Sequence, residues 1–205
     1  MSTVIDQACE VAAKAHDGHY RKEEKDKDKD KDREKENGKV KDKDMGIPYI
    51  SHPMAVAILL ARAGAAEDVI MAALLHDTVE DTGMTLQEIE KAFGPGVAGI
   101  VEGCSEPDKS LPWEERKEHT LEYLKDAPHN VWLVSCGDKL QNVRGMALGY
   151  SKHKEAFWQR FNMGKDGQVW YYQGLVESLR CNREYHPALF DQFEAEVEKF
   201  VEIVR

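Results

Sequence analysis

The sequence lacks any apolar run that approaches the roughly 20 residues needed to cross a bilayer. Its first sixteen residues, MSTVIDQACEVAAKAH, lack the basic start and the apolar core of a secretory signal. The four cysteines, Cys9, Cys104, Cys136 and Cys181, are widely spaced and form no CxxC pair, which argues against a cysteine zinc site. We therefore expect a cytoplasmic protein with no membrane partner, whose thiols are reduced and buried.

Positive charge is also scarce. The chain has 28 Lys and Arg residues against 38 Asp and Glu residues, a formal net charge of −10. Nucleic acids and anionic membranes attract clustered Lys and Arg, so neither is expected as the main partner, whereas a local basic pocket for a small anion remains compatible. Hydrophobic residues make up 41% of the 205 positions, enough for the core of one domain spanning residues 1–205, and a homo-oligomer is compatible with this composition.

Strand signals are few, whereas helical spacing of apolar residues recurs along the chain. Pro53 is typical of the first turn of a helix, which should end at Gly64. TLQE at 85–88 has the spacing of a capping box, and its helix should end at Gly94. Helices are predicted at about 3–18, 52–63, 67–81, 85–93, 96–103, 112–125, 130–148, 166–181 and 187–204. The predicted fold class is all-α, with eight or more helices.

One segment departs from this helical pattern. Residues 22–44 read KEEKDKDKDKDREKENGKVKDKD, and from Lys25 to Glu36 the sign of the charge alternates strictly. No apolar residue occurs in that run, so nothing in it can be buried in a core. We predict a charged low-complexity insert at about 23–45 that forms a surface loop. A charged helical hairpin is the alternative.

The segment LLHDTVED concentrates polar chemistry directly after an apolar stretch. If Glu67–Asp81 is one helix, then at about 100° per residue Asp77, Glu80 and Asp81 all lie within about 140° of His76. These four groups then share one side of the helix. Burying them without partners would cost several kcal/mol each, and a bound cation removes that cost. Imidazole and carboxylate ligands suit a divalent ion such as Mn, Fe or Zn.

Two further ligands could come from other helices. His52 stands at the predicted start of a helix, and Asp138 follows the apolar stretch Val131 to Val134. Asn142 lies four residues after Asp138 and therefore on the same helical face. A capping or core hydrogen bond would explain any one of these residues alone. The order, the apolar context and the ligand types of the whole set favour a metal centre.

The order H…HD…D resembles the signature of HD-domain metal-dependent phosphohydrolases. The resemblance extends to the alarmone-hydrolase domains of Rel/Spo proteins and to the stand-alone small alarmone hydrolases. It covers roughly residues 5 to 180, apart from the charged insert, which occupies a stretch that is normally short in this family. The segments that match in order and spacing are AHDGHYRK, PYISHPMAVAILL, AALLHDTVEDT, FGPGVAGIVEG and DKLQNVR.

The resemblance implies a site and a reaction. The implied ligands of one Mn²⁺ are His52, His76, Asp77 and Asp138. Glu80 and Asp81 match the pair that positions and activates the water, and Arg21, Lys22 and Asn142 match positions that contact the nucleotide and its phosphates. The implied reaction is hydrolysis of the 3′-pyrophosphate of guanosine tetra- or pentaphosphate to pyrophosphate and GDP or GTP. The implied partner is thus a small nucleotide.

Two alternatives stay open at this point. The same site could act on another ribose-bound phosphate, such as an adenosine alarmone or the 2′-phosphate of NADPH. The chain could instead be a nucleotide sensor without catalysis. Glu80 and Asp81 argue against this second alternative, because a sensor needs no water-activating pair. Lys139 and Arg144, which flank Asn142, could contact phosphate or be solvated helix charges.

Overall fold

The computed structural model describes residues 3–21, 46–106 and 108–205, so the predicted insert at 23–45 lies outside the described residues. The described α-helices are α1 (Val4–Ala15), α2 (Ser51–Arg62), α3 (Glu67–Leu75), α4 (Thr78–Asp81), α5 (Leu86–Cys104), α6 (Trp113–Leu124), α7 (His129–His153), α8 (Gly164–Arg180) and α9 (Pro187–Val204). Two short 3₁₀ helices cover Lys154–Arg160 and Arg183–Tyr185. Within these ranges the only β-type pairing is an isolated bridge between Tyr20 and Pro48. The prediction of an all-α fold with eight or more helices is confirmed.

Several helix ends lie where turn and capping residues predict them. The hydroxyl of Thr85 accepts a hydrogen bond from the backbone N–H of Glu88 (3.3 Å), and the Glu88 carboxylate accepts one from the backbone N–H of Thr85 (2.8 Å). Gly64 has a φ of 79° just beyond α2, and Gly94 has a φ of 89° inside α5. Since left-handed backbone favours glycine, Gly94 divides α5 into the two predicted halves, the second of which starts at Pro95.

The prediction of one helix over Glu67–Asp81 is wrong. The helix is interrupted after Leu75 and resumes at Thr78. At the interruption the imidazole of His76 bonds the carbonyl of Ala73 (2.8 Å), and the hydroxyl of Thr78 donates to the carbonyl of Leu75 (2.7 Å). These side chains compete for carbonyl groups that a continuous helix would use. A fixed rotation of 100° per residue therefore does not hold across the break.

Helix α7 lies at the centre of the fold and packs against α2, α3, α5, α8 and α9. The apolar stretch Val131 to Val134 is buried, and Leu140 and Val143 continue the buried face. The indole of Trp132 donates a hydrogen bond to the carbonyl of Leu179 in α8 (3.1 Å). Because α7 is surrounded by other helices, polar residues in its middle are brought to the interior of the molecule.

Two exclusions drawn from the composition can be examined in the structure. None of the helices in the described ranges combines the length and the apolarity that a membrane crossing requires. All four cysteines are free thiols. The expectation that they are buried is right for Cys136, but Cys9 and Cys104 are half-buried and Cys181 is exposed. Cys181 lies at the solvent-facing end of α8 rather than in its packed middle.

The close packing of α7 can be tested at one glycine. An added Cβ at Gly149 would lie 2.3 Å from the ring of Phe157, which is fully buried. We expect Gly149→Ala to lower the free energy of unfolding by about 1–3 kcal/mol, as overpacking does in a core. The control is Gly99→Ala in α5, where nothing lies within 4 Å and the change should be neutral or stabilising by up to about 1 kcal/mol. Urea denaturation measures both; a neutral Gly149→Ala would contradict the packing described.

Candidate metal centre

The first turn of α2 carries His52 into the protein interior. Its side chain is only 2% exposed. The Nε2 atom of His52 lies 3.0 Å from Oδ1 of Asp138, which stands in the middle of α7. The packing of α2 against α7 therefore places two residues that are distant in the sequence in direct contact.

The break between α3 and α4 orients the His-Asp pair. The Nδ1 atom of His76 must carry a hydrogen, because its partner is a carbonyl oxygen, that of Ala73, which can only accept. In the neutral imidazole this leaves the lone pair on Nε2. That atom lies 3.2 Å from Oδ2 of Asp77 and 3.7 Å from Oδ1 of Asp138. It is buried and has no hydrogen-bond partner among the described residues.

The four predicted ligands converge. The ligand atoms of His52, His76 and Asp138 all lie within 4.8 Å of one another, and Oδ2 of Asp77 is 3.6 Å from Nε2 of His52. An imidazole nitrogen without a hydrogen bond, facing two carboxylate oxygens in a buried position, is an arrangement that a cation would complete. A set of two imidazoles and two carboxylates fits a divalent transition metal.

The local electrostatic field also favours a cation. Burial opposes protonation of His76, but the charge of Asp77 and the carboxylate of Asp138 outweigh it and raise the pKa of His76 to about 9. Burial likewise opposes ionisation of Asp138, yet Lys139, His52 and His76 hold the pKa of that carboxyl well below its usual range. Asp138 is therefore an anion in this buried position, and positive charge nearby stabilises it.

Three outer contacts hold the two carboxylates in place. The hydroxyl of Tyr49 donates to Oδ2 of Asp77 (2.6 Å). Asn142 donates through its amide nitrogen to Oδ1 of Asp138 (2.6 Å), and the ammonium of Lys139 donates to Oδ2 of the same residue (2.7 Å). Such contacts fix the orientation of ligands around a metal. Asn142, predicted to contact the nucleotide, thus supports Asp138 in this structure.

Glu80 and Asp81 differ in their positions. Glu80 lies on the wall of the cavity beside the metal centre. Its carboxylate accepts a hydrogen bond from the backbone N–H of Glu106 (2.7 Å) and lies 3.2 Å from the ammonium of Lys109. Asp81 is 42% exposed, lies outside the cavity lining and contacts the same Lys109 (3.3 Å). Lys109 therefore links the two carboxylates, and of these two residues only Glu80 faces the cavity.

The cavity has a volume of about 470 Å³ and is formed by α5, α6, α7 and α8 together with the metal centre. This volume falls in the range of cavities that bind small molecules. The lysines on its wall are Lys117 of α6 and Lys139 of α7, and the lining also includes Asn142 and Tyr171. A protein of net negative charge thus presents cations where a small anion could enter.

Arg21 and Arg144, which the sequence offered as contacts to substrate, lie outside the cavity lining. The backbone N–H of Arg21 bonds the carbonyl of Ile47 (3.0 Å) next to the β-bridge, and Arg21 is not part of the cavity lining. Lys22 lies outside the described residues. Arg144 pairs with Glu196 of α9 (3.2 Å). Nucleotide binding by Arg21 and Lys22 stays a prediction.

Sequence reasoning missed Tyr49, Glu106, Lys109 and Lys117. Tyr49 precedes His52 by three residues, about one helical turn, and this spacing could have indicated it. The other three belong to a segment rich in both signs of charge, which is also typical of a solvent-exposed helix. Only the packing of the helices shows whether such charged residues line the cavity or face solvent.

The comparisons with known proteins agree with this fold. Residues 33–161, more than half of the chain, match the family model described as HD domain. The chain therefore belongs to the HD-domain family. The solved structure of the Listeria monocytogenes EGD-e protein lmo0812 is similar, with a TM-score of 0.68 and 37% identity, and the alignment covers 74% of this chain and 99% of that one.

Two further similarities are more informative about chemistry. The chain is 48% identical over 103 residues to guanosine-3′,5′-bis(diphosphate) 3′-pyrophosphohydrolase MESH1 of Danio rerio, over 49% of this chain and 57% of that protein. It is also similar to the solved structure of a metazoan ortholog of SpoT that hydrolyzes ppGpp, with a TM-score of 0.69, 26% identity, and coverage of 98% of this chain and 96% of that one. The chain spans about half the length of the curated relatives it matches.

The hydrogen bond from Tyr49 to Asp77 can be tested by metal binding. Tyr49→Phe keeps the ring, which packs 4.8 Å from that of His16, and removes only the hydroxyl. We expect affinity for Mn²⁺ to fall about 10- to 100-fold, as for other losses of an outer contact to a ligand. Calorimetric titration of EDTA-treated protein measures it. The control, Tyr150→Phe, removes a hydroxyl that contacts the exposed Glu155 (3.1 Å), and equal affinities in both variants would refute the role of Tyr49.

Proposed function

We propose that the chain is a metal-dependent enzyme that hydrolyses the 3′-pyrophosphate of guanosine tetra- and pentaphosphate to GDP or GTP and pyrophosphate. The observation that carries this proposal is the convergence of buried His52, His76 and Asp138 with half-buried Asp77 beside a cavity of about 470 Å³ that Glu80 lines. Similarity to the MESH1 pyrophosphohydrolase and to the SpoT ortholog that hydrolyzes ppGpp supports the choice of substrate.

The residues that would hold the metal are His52, His76, Asp77 and Asp138. A divalent ion bound there lowers the pKa of a coordinated water toward neutrality and polarises a phosphoryl oxygen. Nitrogen and carboxylate ligands are compatible with Mn²⁺, the ion that the family resemblance implies, and also with Fe²⁺ or Zn²⁺. We take Mn²⁺ as the ion to test first.

The chain's own carboxylates would handle the proton. Glu80 faces the cavity, so its carboxylate can hold the attacking water and accept its proton. Asp81 contributes through Lys109, whose ammonium lies 3.3 Å from Asp81 and 3.2 Å from Glu80. This ion-paired arrangement holds the Glu80 carboxylate in position. Asn142 keeps the carboxylate of Asp138 oriented, and Tyr49 keeps that of Asp77 oriented.

The wider assignments follow from the same proposal. The partner is a small nucleotide, bound with the help of Arg21, Lys22 and Asn142. Residues 1–205 act as one HD hydrolase domain that carries the charged insert, and the protein is cytoplasmic and does not bind nucleic acid. The net charge of −10 supports the last point, since a nucleic-acid backbone repels an acidic surface.

The first experiment measures pyrophosphate release from guanosine tetraphosphate with Mn²⁺ and with EDTA. NADPH and the adenosine alarmone serve as parallel substrates. We expect pyrophosphate to be released from guanosine tetraphosphate in the presence of Mn²⁺ and not in the presence of EDTA. Turnover of another ribose phosphate alone would keep the metal site and replace the substrate, and bound metal without any turnover would favour a sensor.

Substitutions should separate metal binding from catalysis. We expect Asp77→Ala to lose both bound metal and activity, because it removes a ligand. Glu80→Gln and Asp81→Ala should keep the metal and lower kcat by about 10²- to 10⁴-fold, the usual effect of losing a general base or its support. The matched control is Glu198→Gln on the exposed face of α9. Metal content and kcat are measured together, and full activity of Asp77→Ala would show that the ligand assignment is wrong.

A further inference from the structure

The cavity contains three polar side chains to which the proposed function assigns no contact with substrate. Lys117 of α6, Lys139 of α7 and Tyr171 of α8 all line it. The ammonium of Lys117 lies 4.9 Å from the centre of the Tyr171 ring. We call these three residues the Lys117–Lys139–Tyr171 cluster. Because three different helices contribute one residue each, the cluster exists only in the folded protein.

Lys117 shares its carboxylate partner with a second cation. The side chain of Lys117 is 18% exposed and its ammonium lies 2.6 Å from the Glu106 carboxylate. Arg116 pairs with the same carboxylate, so one anion faces two cations. Burial and the charge of Lys139 both lower the pKa of Lys117, because the two ammonium groups repel each other in a medium of low polarity. A second anion near the two lysines would relieve that repulsion.

The buried hydroxyl of Tyr171 lies at the cavity beside Thr120. The residue is 4% exposed, and its hydroxyl has no hydrogen-bond partner among the described residues. Thr120, which also lines the cavity, donates its own hydroxyl hydrogen to the carbonyl of Arg116 (3.0 Å). Leaving a buried hydroxyl unpaired is unfavourable. An oxygen acceptor bound in the cavity would satisfy it, and phosphate oxygens accept strongly from such donors.

The cluster adjoins the metal centre. Lys139 donates to Oδ2 of Asp138 (2.7 Å), while Oδ1 of Asp138 faces His52 (3.0 Å). Lys139 of the cluster is therefore in direct contact with one of the candidate ligands. Two phosphates of a diphosphate are joined through one oxygen, so a diphosphate could reach both places at once.

We propose that the Lys117–Lys139–Tyr171 cluster is an anion subsite for the terminal phosphate of a diphosphate whose first phosphate lies at the metal centre. The proposal rests on the proposed function, since it takes the diphosphate of the substrate, released as pyrophosphate, as the natural occupant. It also assigns the cluster a role in specificity, because a substrate with a single phosphate at this position would leave the hydroxyl of Tyr171 unpaired.

Binding of inorganic pyrophosphate to the full chain tests the subsite. Calorimetry on EDTA-treated protein, with and without one equivalent of Mn²⁺, compares pyrophosphate with orthophosphate. We expect pyrophosphate to bind more tightly. Tyr171→Phe, which removes only an unpaired hydroxyl, should weaken its binding by about 5-fold or more, and Lys117→Gln by about 10-fold or more, whereas Lys117→Arg should retain most of it.

Two controls match these variants. Lys91→Gln removes an exposed lysine from α5, and Tyr150→Phe removes a hydroxyl that contacts the exposed Glu155. Both should leave pyrophosphate affinity unchanged, and thermal unfolding checks that every variant is folded. The subsite would be overturned if Tyr171→Phe and Lys117→Gln bound pyrophosphate as tightly as the wild type. It would also be overturned if the wild type bound no pyrophosphate either with or without Mn²⁺.

Kinetics separate this proposal from the proposed function. If the wild type releases pyrophosphate from guanosine tetraphosphate, Tyr171→Phe should raise KM more than it lowers kcat. Normal hydrolysis with an unchanged KM and unchanged pyrophosphate affinity would refute the subsite and leave the function standing. Absence of hydrolysis, together with pyrophosphate binding that both substitutions weaken, would refute the function and leave the subsite standing.

Discussion

The structure depends on bringing two carboxylates and two imidazoles together in a buried place. Asp77 lies in the break between α3 and α4 and Asp138 lies in α7, yet both have a carboxylate oxygen within 3.7 Å of His76. Such a group of polar side chains is unfavourable in a core unless a cation or hydrogen bonds compensate. The hydrogen bonds from Tyr49, Asn142 and Lys139 provide part of that compensation, and a divalent ion fits the remainder. The central position of α7 follows from the same requirement, since it presents Asp138 to α2 and α3.

The same arrangement shows how an acidic protein can present local positive charge at a cavity. The overall charge is −10, but the cations at the cavity are placed by individual contacts rather than by an excess on the surface. Lys117 is paired with Glu106, and Lys139 with Asp138. These pairs hold the ammonium groups at defined positions and limit their repulsion in the absence of a ligand.

The sequence predicted the fold class, and it also singled out four candidate metal ligands, for physical reasons that differ. Helix ends at Gly64 and Gly94 are visible because few residues other than glycine adopt a left-handed backbone. The ligands are visible because only a few residue types bind metals. The helix over Glu67–Asp81 was predicted wrongly, because hydrophobic periodicity does not report the competition of His76 and Thr78 for backbone carbonyls.

The sequence by itself therefore determined the all-α class, the capping of the helices and the identity of the groups able to bind a metal, since each depends on residue type and short spacing. Tertiary structure alone decided which charges face the cavity. Lys139 contacts Asp138 at the site. Arg144, five residues later on another face of α7, pairs with Glu196 of α9. Both are cations beside Asn142 in the sequence, and only the packing of neighbouring helices around α7 assigns one to the cavity and the other to an ion pair with α9.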